Sequence, residues 1–172
     1  APEIAFAQAR AHEVGTIVEA MARGEIPERV THNDTKLNNV LLDNESQEGI
    51  CVIDLDTVMP GSALYDFGDL VRTSTAPAAE DETDLSKVTM QLPMFAALVQ
   101  GYLASAGGFL TPRERELLPF AGKLITFESG LRFPTDGLEG DVYFKVKRPR
   151  HNLDRCRTQF KLVESIEAQL PA

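Results

Sequence analysis

Two short apolar runs separated by a polar connector constrain this chain more than any other stretch. Val40-Leu41-Leu42 and Ile50-Cys51-Val52-Ile53 are aliphatic and β-branched, and Asp43-Asn44-Glu45-Ser46-Gln47-Glu48-Gly49 between them has turn chemistry. The pattern predicts an antiparallel hairpin. In such a pair the residue that starts the first strand lies beside the one that ends the second, so Asn39 and Asp54 are brought to the same end. An amide oxygen and a carboxylate meeting there suit Mg²⁺, which takes one or two carboxylates together with substrate phosphates.

The residues leading into the hairpin, Thr31-His32-Asn33-Asp34-Thr35-Lys36-Leu37-Asn38-Asn39, add another carboxylate and a lysine. The intervals between His32, Asp34 and Asn39 resemble the H-R-D-x-x-x-x-N loop of protein kinases, with Asn33 in place of the arginine. That resemblance implies that Asp34 receives the proton of an acceptor hydroxyl and that Asn39 holds a magnesium ion. Lys36, two residues past the aspartate, is placed to reach a transferring phosphate. Asp66-Phe67-Gly68 also spells the kinase D-F-G, but it stands beyond the Met59-Pro60-Gly61 turn signal. Asp54 already fills the place that follows the hairpin. Asp66 is therefore expected to open a helix through Val71 or Arg72 and to cap its free N–H groups.

Bulk properties narrow the function classes. The chain of 172 residues fits one domain, and its net charge of −9 argues against nucleic-acid or anionic-membrane partners. No apolar run reaches the length of a membrane span, and the first residues carry no basic start with an apolar signal core. Cys51 and Cys156 lie outside any C-x-x-C pattern, which fits structural thiols in a reduced, cytoplasmic protein. A hydrolase reading lacks its nucleophile, since the chain has no G-x-S-x-G elbow.

The remainder reads as a mainly α fold with one small β-hairpin. A helix is expected from about Glu3 to Arg23, ended by Gly24 and Pro27. Thr73 to Lys87, with the acidic run Glu80-Asp81-Glu82, reads as a solvated loop, and Val88 to Gln91 as briefly extended. Pro93 suits the first turn of a helix that Gly107-Gly108 stops. Thr111-Pro112-Arg113-Glu114 is a capping box that opens a helix to about Phe127. A last helix runs from about Asn152 to Gln169. Between these two, residues 128–145 mix glycines, carboxylates, an arginine and aromatics without a period. That mixture suits a loop carrying sugar-binding groups. Arg132 could equally pair with Asp136 or Asp141.

Together these motifs resemble the C-terminal lobe of the aminoglycoside phosphotransferase/choline kinase superfamily, a protein-kinase-like fold. Val58-Met59-Pro60-Gly61, Tyr65-Asp66-Phe67-Gly68-Asp69, Gly130-Leu131-Arg132-Phe133, Gly140-Asp141-Val142-Tyr143-Phe144-Lys145 and His151-Asn152-Leu153-Asp154-Arg155 are more similar to one branch, bacterial N-acetylhexosamine 1-kinases. The resemblance implies an ATP- and Mg²⁺-dependent kinase acting on a sugar. In it Asp34 is the base at the anomeric hydroxyl, and Asn39 and Asp54 hold Mg²⁺. Asp56 is a second-metal or supporting group, and Arg132 and Tyr143 contact the sugar. The family's N-terminal nucleotide lobe, with its phosphate-gripping lysine, has no counterpart before Thr31. The chain alone is therefore expected to transfer little phosphate. A non-catalytic, pseudokinase-like binding module and a kinase of another small alcohol, such as an aminoglycoside or choline, are the alternatives.

Overall fold

The structure is a computed structural model describing residues 2–170. Its α+β character is the predicted one: six α-helices carry the mass, and two small antiparallel β-pairs sit on them. Three helices frame everything else. α5 (Pro112–Glu139) packs along α3 (Ala63–Ser74) on one side and α6 (His151–Gln169) on the other. α4 (Leu92–Ala106) and the shorter α1 (Pro2–Arg10) and α2 (Thr16–Ala22) complete the helical layer.

The main core forms where Leu64, Phe67 and Val71 of α3 meet Phe95 of α4, Leu117, Leu118 and Leu124 of α5, and Ile17 of α2. Phe67 lies at the centre, with its ring 4.9 Å from that of Tyr102 and 6.4 Å from that of Phe95. The crossing of α3 and α5 depends on Gly68. A β-carbon there would stand 2.5 Å from the Ala121 carbonyl, so no larger residue fits. A second core joins Phe127 and Phe133 of α5 to Cys156, Phe160 and Val163 of α6, with Phe6 of α1 stacked on Phe160 at 4.4 Å.

Two expectations are corrected. The first helix is not continuous to Arg23: a 3₁₀ turn at Ala11–Glu13 and the helix-weakening Gly15 divide it. α1 packs on α6, while α2 turns Ile17 and Ala20 into the main core. Val88 and Gln91 have extended backbone, as expected, in a connector before α4 that joins no sheet and buries Val88 and Met90. The second correction is the larger. α5 does not stop at Phe127 but runs 28 residues to a left-handed Gly140 cap, through Pro119, Gly130 and Pro134. Local propensity argues against helix there, but burial of Phe133 and close packing of Gly130 on the Phe160 ring override it.

The hairpin forms as predicted from β2 (Val40–Leu42) and β3 (Gly49–Val52), with Val40 opposite Val52. A second pair, β1 (Arg29–Thr31) with β4 (Met59–Gly61), escaped sequence reading because its strands are only three residues each and β4 contains a proline. The hairpin leaves Leu41, Ile50 and Val52 exposed.

The two cysteines occupy opposite environments. Cys51 lies exposed on β3, whereas Cys156 is fully buried in α6, and burial pushes its thiol up to about 12. In the folded protein a thiol-specific chromogenic reagent is expected to titrate Cys51 alone at neutral pH, and Cys156 only after denaturation. Two equally fast thiols in the native state would contradict this packing.

Candidate active site

The loop from Thr31 to Asn39 is pinned from three directions. Asp66, inside α3, accepts the backbone N–H of His32 at 2.9 Å and of Asn33 at 2.7 Å. Thr35 donates its hydroxyl to the Asp66 carbonyl at 2.6 Å. On the opposite side, Thr57 Oγ1 donates to the His32 carbonyl at 2.5 Å, and Asn33 Nδ2 donates to the Thr57 carbonyl at 3.0 Å. His32 Nε2 lies 3.1 Å from the Ile53 carbonyl, so its ring bridges the loop to the hairpin's far strand. Asn33 is held at φ 62°, a left-handed conformation that asparagine tolerates better than most residues.

This geometry corrects the reading of Asp66. The cap of α3 is Ser62, whose hydroxyl accepts the Leu64 N–H. The Asp66 carboxylate instead caps a loop more than thirty residues earlier in the chain. Local sequence offered only the nearest N–H groups as partners. Asp66→Asn retains one acceptor oxygen for two donors and faces the other with its own N–H₂. It is expected to cost about 1–3 kcal/mol in urea unfolding; an unchanged unfolding midpoint would argue against the clamp.

Within the pinned loop, Asp34, Lys36, Asn39 and Asp54 come together. Lys36 Nζ donates to Asp34 Oδ2 at 2.6 Å and stands 4.0 Å from Asp54 Oδ2. Asn39 Nδ2 donates to the same Asp34 oxygen at 2.9 Å and to the Asp34 carbonyl at 2.8 Å. Asp34 Oδ1 receives no hydrogen bond from the described residues. Burial by itself would raise the Asp34 carboxyl. The Lys36 ammonium and the Asn39 amide outweigh it, and the group is held below its ordinary range.

Asp54 ends the hairpin at φ 62°, and the Ile53 N–H donates to the Asn39 carbonyl at 2.9 Å, which sets Asn39 and Asp54 at one end of the ladder. With Nδ2 engaged by Asp34, Asn39 keeps Oδ1 free for a cation. Among the described residues no three His, Cys, Asp or Glu side chains cluster as metal ligands. An amide and a carboxylate supplemented by phosphate oxygens make a donor set of another kind, hard and oxygen-only, and it fits Mg²⁺. Asp56 sits exposed in a 3₁₀ turn at Leu55–Thr57.

Beside Asp34 opens a cavity of about 410 Å³ whose lining includes Lys36, Arg72, Arg132, Tyr143 and Phe144. Arg132 reaches it from α5, not from a loop, with its guanidinium 5.6 Å from the ring centres of Tyr143 and Phe144. It forms no ion pair with Asp136 or Asp141. Asp136 is buried and accepts the N–H groups of Tyr143 at 2.7 Å and Phe144 at 3.1 Å, while Asn152 bridges Asp136 and Asp141 at 2.8 Å each. This knot fixes the chain that presents Tyr143.

Sequence reading missed Arg72 and Glu80, which face each other at 3.0 Å across the cavity's edge, with Asp69 holding Arg72 from below at 2.8 Å. The acidic run is likewise not merely solvated. Asp81 accepts from the buried His151 at 2.9 Å and pairs with Arg148 at 3.2 Å. No local signal marks these partners, since each pairing joins distant segments.

A helical lobe that presents a carboxylate, a lysine and an amide beside a hairpin-borne aspartate has the makings of a kinase-like phosphotransferase lobe. The chain belongs to the phosphotransferase enzyme family (APH), whose model matches residues 2–117. The match takes in the pinned loop, the hairpin and Asp66, while Arg132 and Tyr143 lie beyond it. Members of this family transfer phosphate to hydroxyls of small molecules and generally use ATP and Mg²⁺. No helix among the described residues is long and apolar enough to cross a membrane.

Proposed function

We propose that the protein acts as a sugar kinase, moving the γ-phosphoryl group of ATP to the anomeric hydroxyl of an N-acetylhexosamine. One observation carries the reading: Asp34, with Oδ1 unengaged, shares a single cavity with Arg132 and Tyr143. A hydroxyl seated there donates to Oδ1. Its oxygen forms the new bond to phosphorus as the bond from phosphorus to the bridging oxygen of ATP breaks, and its proton passes to Asp34. A carboxyl held at low pKa is a weak base, so Asp34 acts chiefly by orienting the hydroxyl. The loose transition state of phosphoryl transfer asks for little more.

Lys36 is placed to follow charge from Asp34 toward the transferred group, since its ammonium already lies between Asp34 and Asp54. Asn39 and Asp54 would hold Mg²⁺, which neutralises phosphate charge when bound. Asp56 is proposed only as a supporting carboxylate. The cover over the nucleotide is proposed to come from outside the 172 residues, which by themselves are expected to turn over slowly.

The free guanidinium of Arg132 weighs against cationic acceptors such as choline or an aminoglycoside, because like charges would meet in the cavity. Tyr143 and Phe144 offer the aromatic edge that a sugar's apolar face prefers. The test is to incubate the full-length gene product with ATP, Mg²⁺ and a panel of N-acetylhexosamines, hexoses, an aminoglycoside, choline and homoserine. Phosphorus NMR is expected to show hexosamine 1-phosphates. Turnover confined to choline or the aminoglycoside would replace this reading.

A further inference from the structure

A second cavity of about 380 Å³ adjoins the first, and Lys36, Arg72 and Glu80 line both. Its remaining wall comes from the exposed Asn38, the end of α3 with the connector that follows it, and α6. Ala76, Ala78, Val88 and Leu162 give an apolar surface, and Thr158 and Gln159 the polar one.

The charges in this second cavity are already matched. Arg72 is held by Asp69 and Glu80, and Lys36 by Asp34 with Asp54 nearby. Among the described residues an anion entering here would find no unpaired cation, and the Glu80 carboxylate in the wall. Thr158 is also satisfied, donating to the carbonyls of Glu82 at 2.8 Å and Asp154 at 3.0 Å. Gln159 is the buried exception. The residue is 3% exposed, its carboxamide bonds to none of the described residues, and its Oε1 is buried without a donor. Buried amides left unpaired are costly, and in folded proteins nearly all are satisfied.

A neutral group that carries both an N–H and a methyl matches this chemistry. The N–H would satisfy the amide oxygen, and the methyl would rest on the alanines, Val88 and Leu162. We infer that this cavity receives the acylamino substituent of the acceptor and that Gln159 is the residue that selects for it. The inference rests on the proposed sugar-kinase reading and adds to it a specificity determinant outside the reacting groups. Gln159 touches no reacting atom. Its contribution lies in substrate choice, as a site built to hydrogen-bond one group rejects analogues that lack it.

The experiment compares the full-length wild type with Gln159→Leu on a matched pair, an N-acetylhexosamine and the corresponding hexose. KM for the N-acetyl sugar is expected to rise about tenfold in the variant, with KM for the hexose and for ATP unchanged. Calorimetric binding of the two sugars without ATP should show the same split. Ala78→Leu, which fills the cavity without touching Gln159, should reproduce it if Gln159→Leu does not fold. Equal losses on both sugars, or none on either, overturn the inference. Wild-type turnover with an undisturbed variant removes this inference alone. Absence of wild-type turnover with every hexosamine removes the proposed reaction and this inference together.

Discussion

Asp34→Asn is expected to lower kcat of the full-length protein by about 10²–10⁴-fold, the range for loss of a positioned proton acceptor. The asparagine keeps the size of the side chain, so Lys36 and Asn39 retain a neighbour and the fold is kept, with only the charge-linked stability of the carboxylate given up. What is lost is the ionised oxygen that takes the acceptor's proton. The wild-type rate should also carry an acid limb. Because Lys36 and Asn39 hold the folded carboxyl below its ordinary value, the active, ionised form persists through mildly acidic pH. Activity should fall only as pH drops below the usual carboxylate range of about 4. Stability linked to this group has the same sign: it is present above the unfolded pKa and is lost as pH falls through the folded one. Wild-type kcat from Asp34→Asn would end the assignment.

Arg29→Ala is expected to be among the most destabilising single changes in the chain, at about 3–5 kcal/mol. Glu114 has no exposed surface, yet it is ionised. Burial would raise its carboxyl, and two 2.9 Å bonds from Arg29 with the N–H of Thr111 bring it below its ordinary range. Glu114 therefore does two things: it closes the capping box of α5 and neutralises the strand β1 that leads into the active-site loop. Removing the arginine leaves a buried charge unpaired, whereas an ordinary surface arginine would cost almost nothing. Chemical denaturation of Arg29→Ala measures the difference. A loss below about 1 kcal/mol would mean that the pair is replaceable by solvent.

Legibility in the sequence followed the range of the interactions. The hairpin, the start of α4, the capping box at Thr111 and the last helix depend on neighbours within a few residues, and local patterns predicted them. The extent of α5 was hidden because Gly130 and Pro134 argue against helix until Phe160 and the second core are in place. At the candidate site, spacing alone brought out the grouping of Asp34, Lys36, Asn39 and Asp54. The roles of Arg72, Glu80, Asp136 and Gln159 stayed invisible. Their partners, or in the case of Gln159 their lack of one, exist only once distant segments meet. Asp66 falls between these cases: its helix was foreseen, but its partners were sought in the wrong turn.

The unbroken course of α5 has an effect on what variation the protein tolerates. Its 28 residues form a shaft about 42 Å long, clamped at one end through Glu114 and bearing Arg132 toward the other. Each residue advances the helix by about 100°. Deleting or inserting a single position between Gly122 and Arg132 would rotate the guanidinium away from Tyr143 and the cavity, although the shaft itself stayed helical. Its angular phase, more than its composition, ties the acceptor side of the pocket to the loop that holds Asp34.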